Sequence, residues 1–301
     1  MQAWPIERKV RVTQLRIDEF YNHFDGKVYV SFSGGKDSTV LLDLARRVYP
    51  DIEAVFIDTG LEYPEIRAFV KTYENITTVR PSIPFQEVIK KCGYPVISKE
   101  VSNSIYYAQK GSEWAINNMK GQNSDGSDSA YRKRFVKWAR FIDAPFKIGD
   151  GCCGVMKKSP VKKYERKTGN HAILGTMASE SSLRKCAWVK TGCNAFDGRG
   201  ISTPMAFWTD QDVLQYLRQT KIAYCDIYGD IIEEKGNLKT TGAYRTGCMF
   251  CMFGAHLDKE PNQFQRMKET HPKQYEYCMK PVEEGGLGLA TVLDYIGVKY
   301  E

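Results

Sequence analysis

A doubly wound parallel α/β sheet is the fold class this sequence predicts, on three observations. The first is a series of short apolar runs, "KVYVSF", "IEAVFIDTG" and "ITTVRP", each rich in β-branched or aromatic residues and bounded by glycine, proline or charge. The second is what separates them: "KDSTVLLDLARRVYP" and "YPEIRAFVKTYE" have helical length and apolar spacing, and "IPFQEVIKKCG" follows the third run. Strands that alternate with helices in this way run parallel, because each crossover returns over a face of the sheet. The third is position. Both unusual loops, at Gly34 and at Asp58, follow strands and so fall on the carboxyl edge, where such sheets bind ligands.

Ahead of the first strand, "RVTQLRIDEFYNHF" (11–24) has near-helical apolar spacing, and Gly26 can end that helix. Pro50 stops the helix after the first strand, and Gly93 closes the third. From about 106 to 150 the pattern loosens. "KGQNSDGSDSA" is polar and glycine-rich, so the stretch reads as a mobile insertion that hands over to a basic helix at 131–141. A strand returns at "HAILGTMA" (171–178) and a helix at "TDQDVLQYLRQT" (209–220), where Thr209 is the cap and Asp212 the acidic residue three later. "VEEGGLGLATVLDYIG" reads as a loop and a short helix. The expected organisation is one α/β domain over 1–260, with an insertion at about 106–150, and a cysteine-bearing C-terminal extension over 261–301.

A chain of 301 residues can bury roughly 75% of its unfolded surface, so the fold needs no disulfides. Lys and Arg exceed Asp and Glu by 43 − 36 = 7, which suits anionic ligands without specifying nucleic acid. "YRKRFVKWAR" (131–140) and "KKSPVKKYERK" (157–167) place part of that excess on either side of a cysteine pair, as an anion-collecting surface or as solvated helix faces. No signal segment opens the sequence, and no stretch approaches the ~18 apolar residues of a membrane span. Nine cysteines, among them the adjacent Cys152 and Cys153 and the C-x-x-C of Cys248 and Cys251, point to a reducing cytoplasm and to metal or redox chemistry.

The loop that ends the first strand, "SFSGGKDST" (31–39), supplies neither G-x-x-x-x-G-K-[ST] nor G-x-G-x-x-G. It still suits a phosphate. Gly34 and Gly35 let the backbone approach a ligand with no Cβ in the way, Ser33 and Ser38 offer hydroxyls, and Lys36 offers charge. Asp37 is unusual in an anion site, and a helix-capping or magnesium-linked role accounts for it.

"SFSGGKDS" resembles the PP-loop of the ATP pyrophosphatase superfamily, and within it the chain is similar to the adenylyl-sulfate and phosphoadenylyl-sulfate reductase group. "FIDTGLEYPE" (56–65) resembles that group's second nucleotide-facing segment, and "LGTMASESSLR" (174–184) the segment with a glutamate and an arginine near the phosphates or sulfate. "TPMAFWTDQDVLQYL" and "YCDIY" resemble its closing region, so the likeness runs from about 25 to 260 apart from the insertion. It implies an adenine nucleotide alpha hydrolase-like fold that takes ATP or an adenylyl-sulfate-type nucleotide, with Mg2+ as a further cofactor. It implies as nucleotide-binding residues Ser31, Ser33, Gly34, Gly35, Lys36, Asp37, Ser38, Asp58, Gly175, Glu180 and Arg184.

Taken alone, Cys152, Cys153, Cys248 and Cys251 allow a zinc site, a 4Fe-4S cluster or buried free thiols. In the bacterial adenylyl-sulfate reductases a C-C pair and a later C-x-x-C hold a 4Fe-4S cluster. The resemblance therefore implies these four as its ligands, with Lys157 close to the cluster and the substrate's sulfate, and Tyr244 and Arg245 as residues that can line the site.

The group's nucleophilic cysteine, in a C-terminal segment like E-C-G-[IL]-H, has no counterpart in "GGLGLATVLDYIGVKYE". Cys278 lacks the neighbouring glycine and histidine, and Met177 stands where the group usually has arginine. Cys186 and Cys193, in "LRKCAWVKTGC" beside Arg184, are substitute nucleophiles or inert thiols. The expected function is adenylation-dependent sulfur transfer by a cluster-bearing PP-loop enzyme. Its expected partners are an adenine nucleotide, a sulfur-donor protein or thioredoxin-like reductant, and among acceptors nucleic acid; no membrane partner is expected. The alternatives are a reductase that forms sulfite from adenylyl sulfate or phosphoadenylyl sulfate, and a nucleotide sensor without turnover.

Overall fold

The computed structural model describes residues 1–301. In chain order the first elements are α1 (Ile6–His23), β1 (Val28–Ser31), α2 (Lys36–Arg46), β2 (Ala54–Ile57), α3 (Pro64–Val70), β3 (Ile76–Val79), α4 (Phe85–Cys92), β4 (Val96–Ile97), α5 (Lys99–Gln109), α6 (Glu113–Lys120) and α7 (Arg132–Phe135). There follow α8 (Ser159–Thr168), β5 (His171–Ile173), α9 (Ser182–Thr191), β6 (Asn194–Ala195), β7 (Ile201–Ser202), α10 (Asp210–Thr220), β8 (Ile231–Glu234), β9 (Asn237–Thr240), β10 (Met252–Phe253), α11 (Gln263–Thr270), α12 (Pro272–Met279) and α13 (Leu289–Ile296). The chain forms two compact units, residues 1–80 with 160–247 and residues 81–159 with 248–301. These divisions fall at other points than the expected 106–150 and 260/261.

The first unit is the doubly wound sheet. Its strand order is β3-β2-β1-β5-β7-β6, parallel except where β6 runs antiparallel to β7. From β1 the chain winds outward through β2 to β3, then returns past β1 to β5. A crevice opens at such a reversal, outside the carboxyl ends of the two strands. Val28 and Val30 of β1, Leu41, Leu42 and Leu44 of α2, and Ile17 and Phe20 of α1 are buried in one apolar core with Phe207 and Trp208. The indole of Trp208 donates to Thr13 Oγ1 at 2.8 Å, so the largest core side chain is also satisfied. The expected capping box at α10 is present: Thr209 and Asp212 hold each other's backbone N–H groups.

In the second unit β4 and β10 pair in parallel, Val96 with Met252 and Ile97 with Phe253. The Ser98 hydroxyl accepts from Val101 N at 3.2 Å and starts α5, which packs against α6. Helix therefore occupies much of the stretch that reads as an insertion, burying Ile105, Ala108, Ala115 and Met119. The basic segment is one α-helical turn, α7, continued by a 3-10 stretch over Val136–Asp143, and it buries Phe135 and Phe141. No helix is long and apolar enough to cross a membrane.

Between β1 and α2, Gly34 has φ +72°, and a Cβ there would lie 2.8 Å from Val70 Cγ2 and 3.0 Å from Ile66 Cγ2 on α3. Its lack of a side chain thus serves the turn and the packing of α3, and Gly34 is not among the residues that line the crevice described below. Gly34→Ala is expected to lower stability by about 1–3 kcal/mol, through backbone strain and overpacking. An unchanged midpoint in urea denaturation would contradict this account of the turn.

Candidate functional site

A cavity of about 590 Å³ opens in the first unit at the carboxyl ends of β1 and β5. Its floor is the loop after β1. Ser33 N donates to Ser38 Oγ at 3.1 Å, and Ser38 Oγ donates to the Gly35 carbonyl at 2.9 Å, so Ser38 closes the loop from within. Gly35 precedes α2 with no side-chain cap, which leaves the helix's amino end to be satisfied from outside its own turn. Tyr228 meets one of these donors: its hydroxyl accepts from Lys36 N at 3.1 Å and shares a 2.7 Å hydrogen bond with Thr246. A Cβ on Gly35 would lie 3.2 Å from that same hydroxyl.

The lining carries three cations and three carboxylates: Lys36, Arg184 and Arg245 with Asp37, Glu180 and Asp210. Lys36 is buried, and its ammonium lies 3.0 Å from Asp37 and 2.5 Å from Asp210. Burial pushes its pKa down, but the two carboxylates outweigh burial and hold it above the ordinary lysine value. Glu180 accepts from Met177 N at 2.8 Å and pairs with Arg184. Burial and the nearby Arg245 hold the Arg184 guanidinium below its usual range. Arg245 itself lies 5.7 Å from the Tyr244 ring centroid.

The structure brings most of the expected nucleotide-binding residues to this one cavity: Ser31, Ser33, Gly35, Lys36, Asp37, Ser38, Gly175, Glu180 and Arg184 all line it. It does not bring Asp58. That carboxylate stands at the end of β2, on the far side of β1 from β5, and accepts from Arg67 and Arg80 at 3.1 Å each. Burial would raise its pKa, but these two arginines hold it below the ordinary aspartate value. Cys186 is exposed on α9 and Cys193 is buried in the apolar core, where desolvation raises its thiol pKa; neither lines the cavity. Tyr244 and Arg245 line this cavity. Thr209, Asp210, Gln211, Tyr228 and Thr246 complete the wall without having been anticipated as ligand contacts. The α10 capping box and the "TPMAFWTDQDVLQYL" resemblance were the signals that located the first three.

Cys152, Cys153, Cys248 and Cys251, together with Lys157, belong to the second unit. The iron–sulfur expectation is overturned there: no group of three or more His, Cys, Asp or Glu side chains is disposed to hold a metal ion. Cys152 donates to Cys153 across 4.0 Å, and that hydrogen bond, together with burial and the neighbouring sulfurs, pushes the Cys152 pKa up. Burial likewise raises Cys251, and Cys248 and Cys153 add to it. The cofactor expectations fall with the iron–sulfur one: the cluster has no ligand set, Asp37 is paired with Lys36 with no magnesium site around it, and only the family relationship speaks for ATP. The structure therefore does not support the expected cluster-dependent sulfur transfer.

Fold and cavity together define an α/β unit of the PP-loop class. The chain belongs to the phosphoadenosine phosphosulfate reductase domain family, whose sequence pattern matches residues 27–94 and 99–252. It is 25% identical over 277 residues to the Methanocaldococcus jannaschii protein MJ0973, covering 90% of this chain and 52% of that protein. A second protein of that organism, MJ0066, is 24% identical over 271 residues, so the chain spans about half the length of these curated relatives. The adenosine 5'-phosphosulfate reductase of Geobacillus kaustophilus is 35% identical over 71 residues, 24% of this chain and 28% of that one. A crystal structure of phosphoadenylyl-sulfate reductase from Candida auris aligns with a TM-score of 0.39 at 15% identity, covering 70% of this chain and 83% of the other.

One thiol of the second unit differs from its neighbours. The hydrogen bond from Cys152, with Lys99, Lys157 and Lys158 nearby, outweighs burial and pulls the Cys153 pKa down to about 6. Iodoacetamide is expected to label Cys153 with a pH midpoint near 6 while leaving Cys152 unlabelled at neutral pH. A Cys153 midpoint near the ~8.5 of a free cysteine would refute this arrangement.

Proposed function

We propose that the first unit binds an adenylyl sulfate or phosphoadenylyl sulfate nucleotide and that the protein cleaves it reductively to sulfite. The observation that carries this reading is the cavity at the β1/β5 reversal, where the uncapped amino end of α2, Lys36, Arg184 and Arg245 face one space. Helix amino ends and clustered cations favour adjacent anionic groups, which a phosphate–sulfate anhydride supplies. Cations at that place also stabilise the nucleotide phosphate as it leaves.

The reaction needs two electrons, and thiols are the donors in this reading. A thiolate takes the sulfuryl group as the sulfur–oxygen bond to the nucleotide breaks; a second thiol then displaces sulfite and leaves a disulfide. Cys278, the one cysteine beyond the C-x-x-C, is a poor first nucleophile: it is fully buried, donates to the Tyr275 carbonyl at 3.2 Å, and burial pushes its pKa up to about 12. A thioredoxin-like protein is the proposed electron source, and a reducing cytoplasm the proposed location, supported by cysteines that are all free.

Sulfite release is the test, with both sulfated nucleotides and with dithiothreitol or thioredoxin as reductant. One of the nucleotides should yield sulfite, and Lys36→Ala should weaken its binding by about 1–3 kcal/mol in isothermal titration. Nucleotide binding without sulfite under either reductant would overturn the reductase reading.

A further inference from the structure

Lys36 already has two anionic partners before any ligand arrives. Asp37 is its chain neighbour, whereas Asp210 comes from the first turn of α10, and the lysine side chain between them is only 6% exposed. The build of α10 explains why Asp210 faces this way. Asp212 turns inward, where its Oδ2 accepts from Thr209 N at 2.7 Å and from the buried Lys9 ammonium at 2.5 Å. Two residues along a helix amount to about 200° of rotation. Asp210 therefore points away from the core and into the cavity, which it lines.

An anion that reaches Lys36 must take it from Asp210 and then lie beside that carboxylate. The repulsion grows with each negative charge the ligand brings. Glu180 does not act in the same way, because it is held by Arg184 and by the backbone of Met177.

We propose that Asp210 is an internal counter-ion that competes with the ligand for Lys36 and sets the charge class the cavity accepts. Nucleotides with a single phosphate in the chain, adenylyl sulfate among them, are favoured over the more highly charged di- and triphosphates. The proposal deepens the sulfonucleotide reading and rests on it, while its physical core, the contest for Lys36, is read with probes that carry no sulfate.

Isothermal titration of wild-type, Asp210→Asn, Asp210→Glu and Lys36→Met proteins with AMP, ADP, ATP and inorganic pyrophosphate is the test. Asp210→Asn should tighten ATP and pyrophosphate by about tenfold and AMP by only about twofold, whereas Asp210→Glu should keep the wild-type order. Lys36→Met should lose pyrophosphate binding, and Asp51→Asn, an exposed carboxylate outside the cavity, should change nothing. Unchanged or weaker binding of ATP and pyrophosphate by Asp210→Asn, or an equal gain for AMP, would overturn the proposal. Circular dichroism checks folding, and Asp210→Ser, which also suits a helix start, replaces the amide if that variant does not fold. A protein that releases no sulfite but shows the charge-graded gain refutes the reductase reading alone.

Discussion

Gly34 holds φ +72° where β1 leaves the sheet and α2 begins, and the geometry of the cavity depends on that turn. A strand that ends on the carboxyl edge has to pass its chain to a helix whose first N–H groups lack intrahelical partners. Here the loop occupies Ser38 with its own closure, gives one of those N–H groups to Tyr228, and leaves Gly35 without a capping side chain. Polar demand therefore gathers at one end of α2. Lys36 sits in the same turn and is countered by carboxylates from two elements, so charge is stored at the site in neutralised form.

The three strand–helix units were legible because their signals are local. Apolar runs of strand length, helical spacing between them, Gly93 as a helix stop and the Thr209–Asp212 box all appear in the structure at the expected positions. The other half of the cavity was legible only through the family resemblance, which gave Gly175, Glu180 and Arg184, because it depends on which strand lies beside β1. β6 and β7 have two residues each, too few for any periodicity to show. Without the strand order, Asp58 on β2 and the residues near β5 look equally placed at the edge. The structure puts β2 and β5 on opposite sides of β1, which separates Asp58 from Lys36. Tyr228 lies in the "YCDIY" segment that the resemblance marked, whereas Tyr244 and Arg245 reach the cavity late in the unit, where no periodic pattern marks them as its lining.

The cysteines teach a different lesson. Spacing identifies residues of the right type, but protonation is decided by surroundings that spacing does not contain. Cys152 and Cys153 are adjacent in sequence and opposite in behaviour, one held as a thiol and the other drawn toward the thiolate by its neighbour's S–H and three lysines. Cys193, open in the sequence as nucleophile or inert thiol, lies past the end of α9 and is buried in the apolar core, whereas Cys186 on α9 is exposed.

The division of the chain into segments has a consequence for its biosynthesis. β1 is bonded to β2 on one side and to β5 on the other, with Val28 opposite His171 and Val30 opposite Ile173. Between the first and the last of these partners the ribosome must produce the whole of 81–159, which belongs to the other unit. At about 5–20 residues per second that interval lasts on the order of ten seconds. Throughout it the strand destined for the middle of the sheet presents a bare apolar edge, the feature through which nascent chains pair wrongly. Shielding of that edge while β5 has yet to emerge is therefore a demand that the order of the segments places on the nascent chain.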